Sequence, residues 1–251
     1  MQNQELTNWE KRFISWLELN GDHSDGSHDL GHFRRVWKAA RYINEQECAT
    51  HEGATLEGAT QEGATQEGAA LQGATQEGEA ADPLILLAAA YFHDLVSLPK
   101  NHPQRADSSR LSAERTVLLL ESDFPDFPRE KIEGVRHAIH AHSFSAGVRP
   151  LTAEARILQD ADRMEAVGAI GLARVFYTAG QLGQRLFDDG DAMAEGRLPD
   201  DKKYALDHFQ VKLLKLPALM NTAAGRQLAE VNAAYLREFL KKIKKEIEGA
   251  Y

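Results

Sequence analysis

The sequence has one cysteine, Cys48, among 251 residues, so it can form no intrachain disulfide. That excludes a disulfide-stapled secreted scaffold and leaves stability to a hydrophobic core. No apolar run approaches the roughly 20 residues that span a bilayer. The amino-terminal MQNQELTNWEKRF lacks the basic-then-apolar pattern of a signal peptide. A cytoplasmic protein with no membrane partner is expected. Positive charge is also scarce: 29 Lys and Arg stand against 38 Asp and Glu, for a net charge of −9. This argues against a nucleic-acid polymer as partner. Part of the acidity is local. Residues 49–79 hold six Glu and no Lys or Arg, and removing those six charges leaves −3 for the rest. A nearly neutral body can still build a basic pocket for an anionic substrate. No convincing strand pattern is found either.

What is present is a series of helical periodicities. The stretch that organises them is LILLAAAYFHDLVSL, residues 84–98. Asp82-Pro83 before it is a start signal, a capping carboxylate followed by a proline suited to the first helical turn. Leu84 to Phe92 has no polar face, which predicts a helix buried on all sides. It runs into His93 and Asp94, and buried charge is expensive unless it is paired or bound to a metal.

Around it, residues 4–19 form an amphipathic helix with Leu6, Trp9, Phe13, Trp16 and Leu17 at helical spacing. A second helix is predicted from His28 to about Cys48, with Phe33, Val36, Trp37, Ala40 and Ile43 as its apolar stripe. Its His28 and His32 lie four apart on one face. Residues 52–78 repeat with a period of five (EGATL, EGATQ and variants). Five residues turn a helix by about 500°, so this period builds no stripe, and it matches no strand. Residues 49–80 therefore read as a low-complexity, acidic, flexible linker inserted between two helices. Helices follow at about 109–121, 128–142, 152–178, 204–219 and 222–248, with a Gly- and Asp-rich loop at 180–203. Helices joined by short polar loops make an all-α fold with a bundle-like core, one domain over 1–251.

Five places put histidine or carboxylate on these helices: His28/His32, His93/Asp94, His137/His140/His142, Asp160/Asp162 and Asp207/His208. Asp160 has Arg156 at i−4 and Arg163 at i+3, so a surface ion pair accounts for it. Asp162 has Ala155, Leu158, Ala166 and Ala169 as helical neighbours and needs a buried partner. A metal ion would supply one. One histidine of the second helix, the adjacent His-Asp and one Asp of the long helix suit a divalent ion such as Mn, Fe, Co, Ni or Zn, and Mg less well. Such an ion lowers the pKa of bound water and polarises a phosphoryl oxygen.

The ordered set His32-x-x-Arg35-Val36, His93-Asp94 and Ala161-Asp162-Arg163 resembles the H…HD…D signature of the HD-domain phosphohydrolase superfamily. The separations are 61 and 69 residues, the first lengthened by the repeat. The stretches LPKNHPQR (98–105), HSFSAG (142–147), LQDADRMEAVGAIGLAR (158–174) and HFQVKLLKLPALMNTAAGRQLA (208–229) narrow the likeness to compact bacterial HD hydrolases of the YedJ and YpgQ type. The resemblance implies an HD-domain helical bundle with His32, His93, Asp94 and Asp162 as metal ligands. It also implies hydrolysis of a phosphoester or phosphoanhydride, often in a nucleotide. Relatives of the nearer type imply nucleoside triphosphate pyrophosphohydrolase or nucleotidase chemistry. The wider superfamily keeps phosphodiesterase and guanosine tetraphosphate hydrolase activity open, as well as a non-catalytic nucleotide or metal sensor.

Negative charge on the phosphoryl oxygens must be met by cations. Lys100 and Arg105 are candidates on the loop after the His-Asp pair. His208, Lys212 and Lys215 share one face of a later helix, though the lysines read equally as a solvated face opposite Phe209, Leu213 and Leu216. His142 is a candidate for the substrate or, with His137 and His140, for a second metal. Asp94, His28 and Lys100 are the catalytic candidates, with His28 reaching the substrate or acting as general acid, or else carrying no chemistry. Asp29 is a cap or a partner for a ligating imidazole, and Arg35 forms an ion pair. The expected partner is a small phosphorylated molecule, and a homo-oligomer is left open.

Overall fold

A computed structural model of the chain describes residues 2–21, 29–58, 80–98, 102, 104–143 and 146–250. His28, Lys100 and residues 59–79 of the repeat lie outside the described residues. Among those described, the chain forms nine α-helices and no strand, apart from one isolated bridge between Arg185 and Tyr204. They are α1 (Gln2–Asn20), α2 (Leu30–Gly58), α3 (Pro83–Phe92), α4 (Ser108–Ser122), α5 (Arg129–His142), α6 (Ala153–Met164), α7 (Gly168–Gln181), α8 (Asp207–Val211) and α9 (Ala223–Ile247). None of these helices is long and apolar enough to cross a membrane.

The organising helix begins as its sequence predicts. Asp82 caps α3, its carboxylate accepting the N–H groups of Leu84 and Ile85, and Pro83 stands in the first turn. Every residue from Leu86 to Phe92 is buried. Around α3 pack α1, α2, α4, α5 and α6. Phe92 meets the Phe13 ring of α1 at 4.9 Å, and Phe13 meets Phe124 at 5.1 Å, both edge to face. A second apolar cluster joins Met164, Val167, Leu206, Phe209, Leu213, Leu216, Met220, Ala229 and Leu236. The seam between the clusters falls within α6, whose Ile157, Leu158 and Ala161 belong to the first and Met164 to the second.

The α3 helix ends at Phe92 as its apolar run does, so His93 is its cap and Asp94 sits in the following turn. There Ser112 of α4 takes over the backbone, accepting the Val96 N–H and donating to the Val96 carbonyl. Several elements depart from expectation. The expected long helix 152–178 is two helices. Its break at Glu165–Val167 is closed by short turn bonds, and Gly168 follows with φ +71°, a left-handed conformation that favours glycine. The predicted helix 204–219 is the short α8 followed by a 3-10 turn, Leu213–Leu219. Pro217 lies in that turn, where it has no N–H to give and an α-helix would clash. The second helix continues past Cys48 to Gly58, because extending a formed helix needs no new nucleus.

Asp160 is a correction. It is fully buried rather than paired at the surface. Its carboxylate accepts the backbone N–H groups of Asn221 and Thr222, the Asn221 amide and the Thr222 hydroxyl, at 2.8–3.1 Å. It thereby fixes the entry to α9, where Thr222 is the cap. Gly225 permits this approach: a Cβ there would lie 2.5 Å from Asp160 Oδ2. Burial raises the Asp160 carboxyl above its ordinary value, and these hydrogen bonds only partly offset that. Arg163 meanwhile donates to the Leu219 carbonyl and Arg156 to that of Leu151.

Candidate metal centre

Four helix ends meet beside α3. In the first turn of α2, Asp29 Oδ1 accepts the His32 N–H at 2.8 Å, which caps the helix and seats His32 inside the protein. His93 caps α3, His142 is the last residue of α5, and Asp162 lies in the last turn of α6. His32 and His93 are fully buried and His142 is nearly so, while the Asp94 and Asp162 carboxylates keep partial exposure. Helix ends let polar side chains converge without interrupting the apolar faces that build the core.

The side chains meet closely. His32 Nε2 lies 3.1 Å from His93 Nε2, and Asp162 Oδ1 is 3.7 Å from each. Asp94 Oδ2 is 3.7 Å from His93 Nε2, and Asp94 Oδ1 is 3.5 Å from His142 Nε2. Two sets of donors, His32/His93/Asp162 and His93/Asp94/His142, each fall within 4.8 Å and share His93.

The far side of each imidazole explains its orientation. His93 Nδ1 faces the Ala90 carbonyl at 2.9 Å, and His142 Nδ1 faces that of Ile139 at 2.6 Å. A carbonyl only accepts, so these Nδ1 atoms carry hydrogen and the Nε2 lone pairs point to the centre. His32 Nδ1 faces the Glu165 carboxylate at 3.3 Å. Two ring nitrogens 3.1 Å apart need a cation between them. With a proton there, His93 holds it: burial alone would lower its pKa, but Asp94 and Asp162 carry it to about 9. Burial lowers that of His32. Asp162 is driven below the usual carboxylate range, since contact with His93 and the charge of His142 and His32 outweigh its burial. Imidazole nitrogens with free lone pairs and ionised carboxylates fit a divalent first-row metal in place of that proton.

All four ligand candidates are thus together, and His142 is with them. Asp29 is the α2 cap. Arg105 donates to the Leu98 carbonyl and ties the loop after Asp94. His208 Nδ1 lies 2.8 Å from Asp201 Oδ2 and is half-exposed, while Lys212 and Lys215 are exposed opposite the buried Phe209, Leu213 and Leu216. His137 accepts the Leu151 N–H instead of facing the centre. Asp207 is buried under a two-bonded pair with Arg197, at 2.5 and 2.8 Å, which closes the 180–203 loop. Glu165 escapes the sequence reading. It is nearly buried and takes three hydrogen bonds from Arg35 at 2.8–3.1 Å. The available signals are a carboxylate between Met164 and Val167 and the ion pair expected of Arg35, whose partner is Glu165.

The HD domain family model matches residues 29–167, which span every one of these donors. The chain belongs to the HD-domain family. It is 29% identical to the Bacillus subtilis protein YpgQ, over 99% of this chain and 95% of that one. The structure of YpgQ in complex with ADP is similar with a TM-score of 0.63 at 28% identity, covering 96% of this chain and all of that one. An HD-superfamily hydrolase from Bacillus thuringiensis is similar with a TM-score of 0.62 at 27% identity, over 98% of both chains. The HD chain is therefore an all-α, metal-dependent phosphohydrolase with a divalent metal as cofactor.

Proposed function

We propose that this HD protein hydrolyses a nucleotide, as a nucleoside triphosphate pyrophosphohydrolase or nucleotidase. The observation that carries the reading is the convergence of three imidazole Nε2 atoms with Asp94 and Asp162. The ADP bound by YpgQ, a relative along the whole chain, supports a nucleotide. His32, His93, Asp94 and Asp162 would hold the metal. When bound, a divalent ion would acidify water and polarise a phosphoryl oxygen.

The chain's own groups do the rest. The Ala90 and Ile139 carbonyls hold protons at Nδ1 of His93 and His142, so both rings keep Nε2 aimed inward. Asp94 lies between those two rings and orients the attacking water, taking its proton at Oδ1. Lys100 and Lys212 would meet phosphoryl charge and His28 would act as general acid, while Arg105 and His208 already bond the Leu98 carbonyl and Asp201. His142, beside Asp94, would add a further nitrogen donor to the same centre. The test is release of phosphate or pyrophosphate from a nucleotide panel with Mn, on protein of known metal content. Wild type turns over and Asp94→Ala does not. Metal-loaded protein that cleaves no phosphoester refutes the reading.

A further inference from the structure

The three imidazoles of the centre are not held alike. His93 and His142 each give Nδ1 to a carbonyl three residues back on their own helix. For His32 that carbonyl is Asp29's, at the cap of α2, where it takes the Phe33 N–H. His32 stands in the opening turn of α2. Its Nδ1 goes to another element, to Glu165 in the turn between α6 and α7.

Glu165 is not free to swing. Arg35, one turn after His32 on α2, grips both of its oxygens. Arg174 of α7 reaches the same Oε2 at 3.9 Å. His32, Glu165 and Arg35 therefore close a ring between α2 and the α6–α7 turn. Glu165 also follows Asp162 by three residues, and its N–H bonds the Asp162 carbonyl at 3.1 Å. One segment thus supplies both the carboxylate in front of His32 and the carboxylate behind it.

We propose that Glu165 is the positioning residue of this metal centre, its Arg35-clamped carboxylate fixing His32 in the tautomer and orientation that aim Nε2 at the ion. This rests on the reading of His32 as a ligand. An anionic partner makes His32 a stronger donor than the two carbonyl-backed rings.

The test uses Co(II) and Zn(II) as probes on the full chain. Competition with a chelator gives the Co(II) affinity of wild type, His32→Ala and Glu165→Gln. Nitrogen NMR of Zn(II)-loaded wild type gives the His32 tautomer without any substitution. The expected result is a His32 ring protonated at Nδ1 and metal-shifted at Nε2. Glu165→Gln should weaken Co(II) binding by about 10–100-fold. Its thermal melt before metal addition checks that it folds. A Glu165→Gln affinity within twofold of wild type, with His32→Ala strongly weakened, overturns this inference alone. Metal shifted at Nδ1 of His32 also overturns it. Unchanged affinity in His32→Ala overturns the ligand reading and this inference together. If Glu165→Gln fails to fold, the wild-type tautomer decides.

Discussion

Asp160→Ala is the sharpest test of how the two apolar clusters are joined. In the native protein this carboxylate satisfies two backbone N–H groups, those of Asn221 and Thr222, at the buried entry to α9. Alanine leaves both unpaired, and a buried unsatisfied N–H costs about 1–3 kcal/mol. The Asn221 amide and the Thr222 hydroxyl also lose a partner but can rotate toward other acceptors. Against this, the substitution relieves the burial of a carboxyl whose pKa is raised by desolvation. The net loss is about 2–4 kcal/mol, which for a chain of this size lowers the melting temperature by about 4–16 °C. Urea unfolding followed by circular dichroism at 222 nm measures it, and Asp160→Asn, which keeps one acceptor oxygen, should lose less. A surface ion pair with Arg156 and Arg163 would contribute only about 0–1 kcal/mol. A loss below about 1 kcal/mol in Asp160→Ala therefore refutes the buried-cap account.

Three other outcomes follow from particular residues. Asp82 is pushed up by burial but held lower overall by Lys131 and by the N–H groups of Ile85 and Leu84, below its ordinary 3.8. Its contribution is present above that value and is lost as pH falls through the lower folded value. The stability gap between wild type and Lys131→Met should narrow between pH 5 and pH 2 in urea titrations, and a constant gap contradicts it. Gly168→Ala must hold φ near +71° and bring a Cβ to 2.8 Å from Asn232 Oδ1, so a loss of at least about 1 kcal/mol is expected in the same assay. Deletion of residues 53–77 should leave folding and Co(II) affinity intact, whereas a large drop in melting temperature would show that the repeat is not a linker.

The helices were legible because each carries its own periodicity. Trp9, Phe13 and Leu17 of α1, and Phe33, Val36 and Ile43 of α2, are buried as their spacing predicts. The cap at Asp82 and the apolar run after it were equally plain, because capping and burial of one helix depend on adjacent residues. His93-Asp94 stood out at the end of an apolar run and Asp162 among apolar helical neighbours, whereas His32 was singled out by the ordered H…HD…D resemblance. His142 was harder to assign, since His137 and His140 share its helix and differ from it only in what lies opposite.

Tertiary structure decided the rest. Whether a buried carboxylate meets a guanidinium, a helix cap or a metal depends on elements far away in the chain. Asp160 has two arginines at helical spacing, yet it bonds residues 61 and 62 positions later. Glu165 meets Arg35 across 130 residues, and no local pattern ties them. The break before Gly168 is also a tertiary outcome: the left-handed turn is stabilised where Asn232 of α9 fills the space a side chain would need. Local sequence thus determined which segments are helices and which polar residues needed partners. Packing of α2, α6 and α9 determined the partners, because the distances that separate a cap from a ligand exist only once the helices are in place.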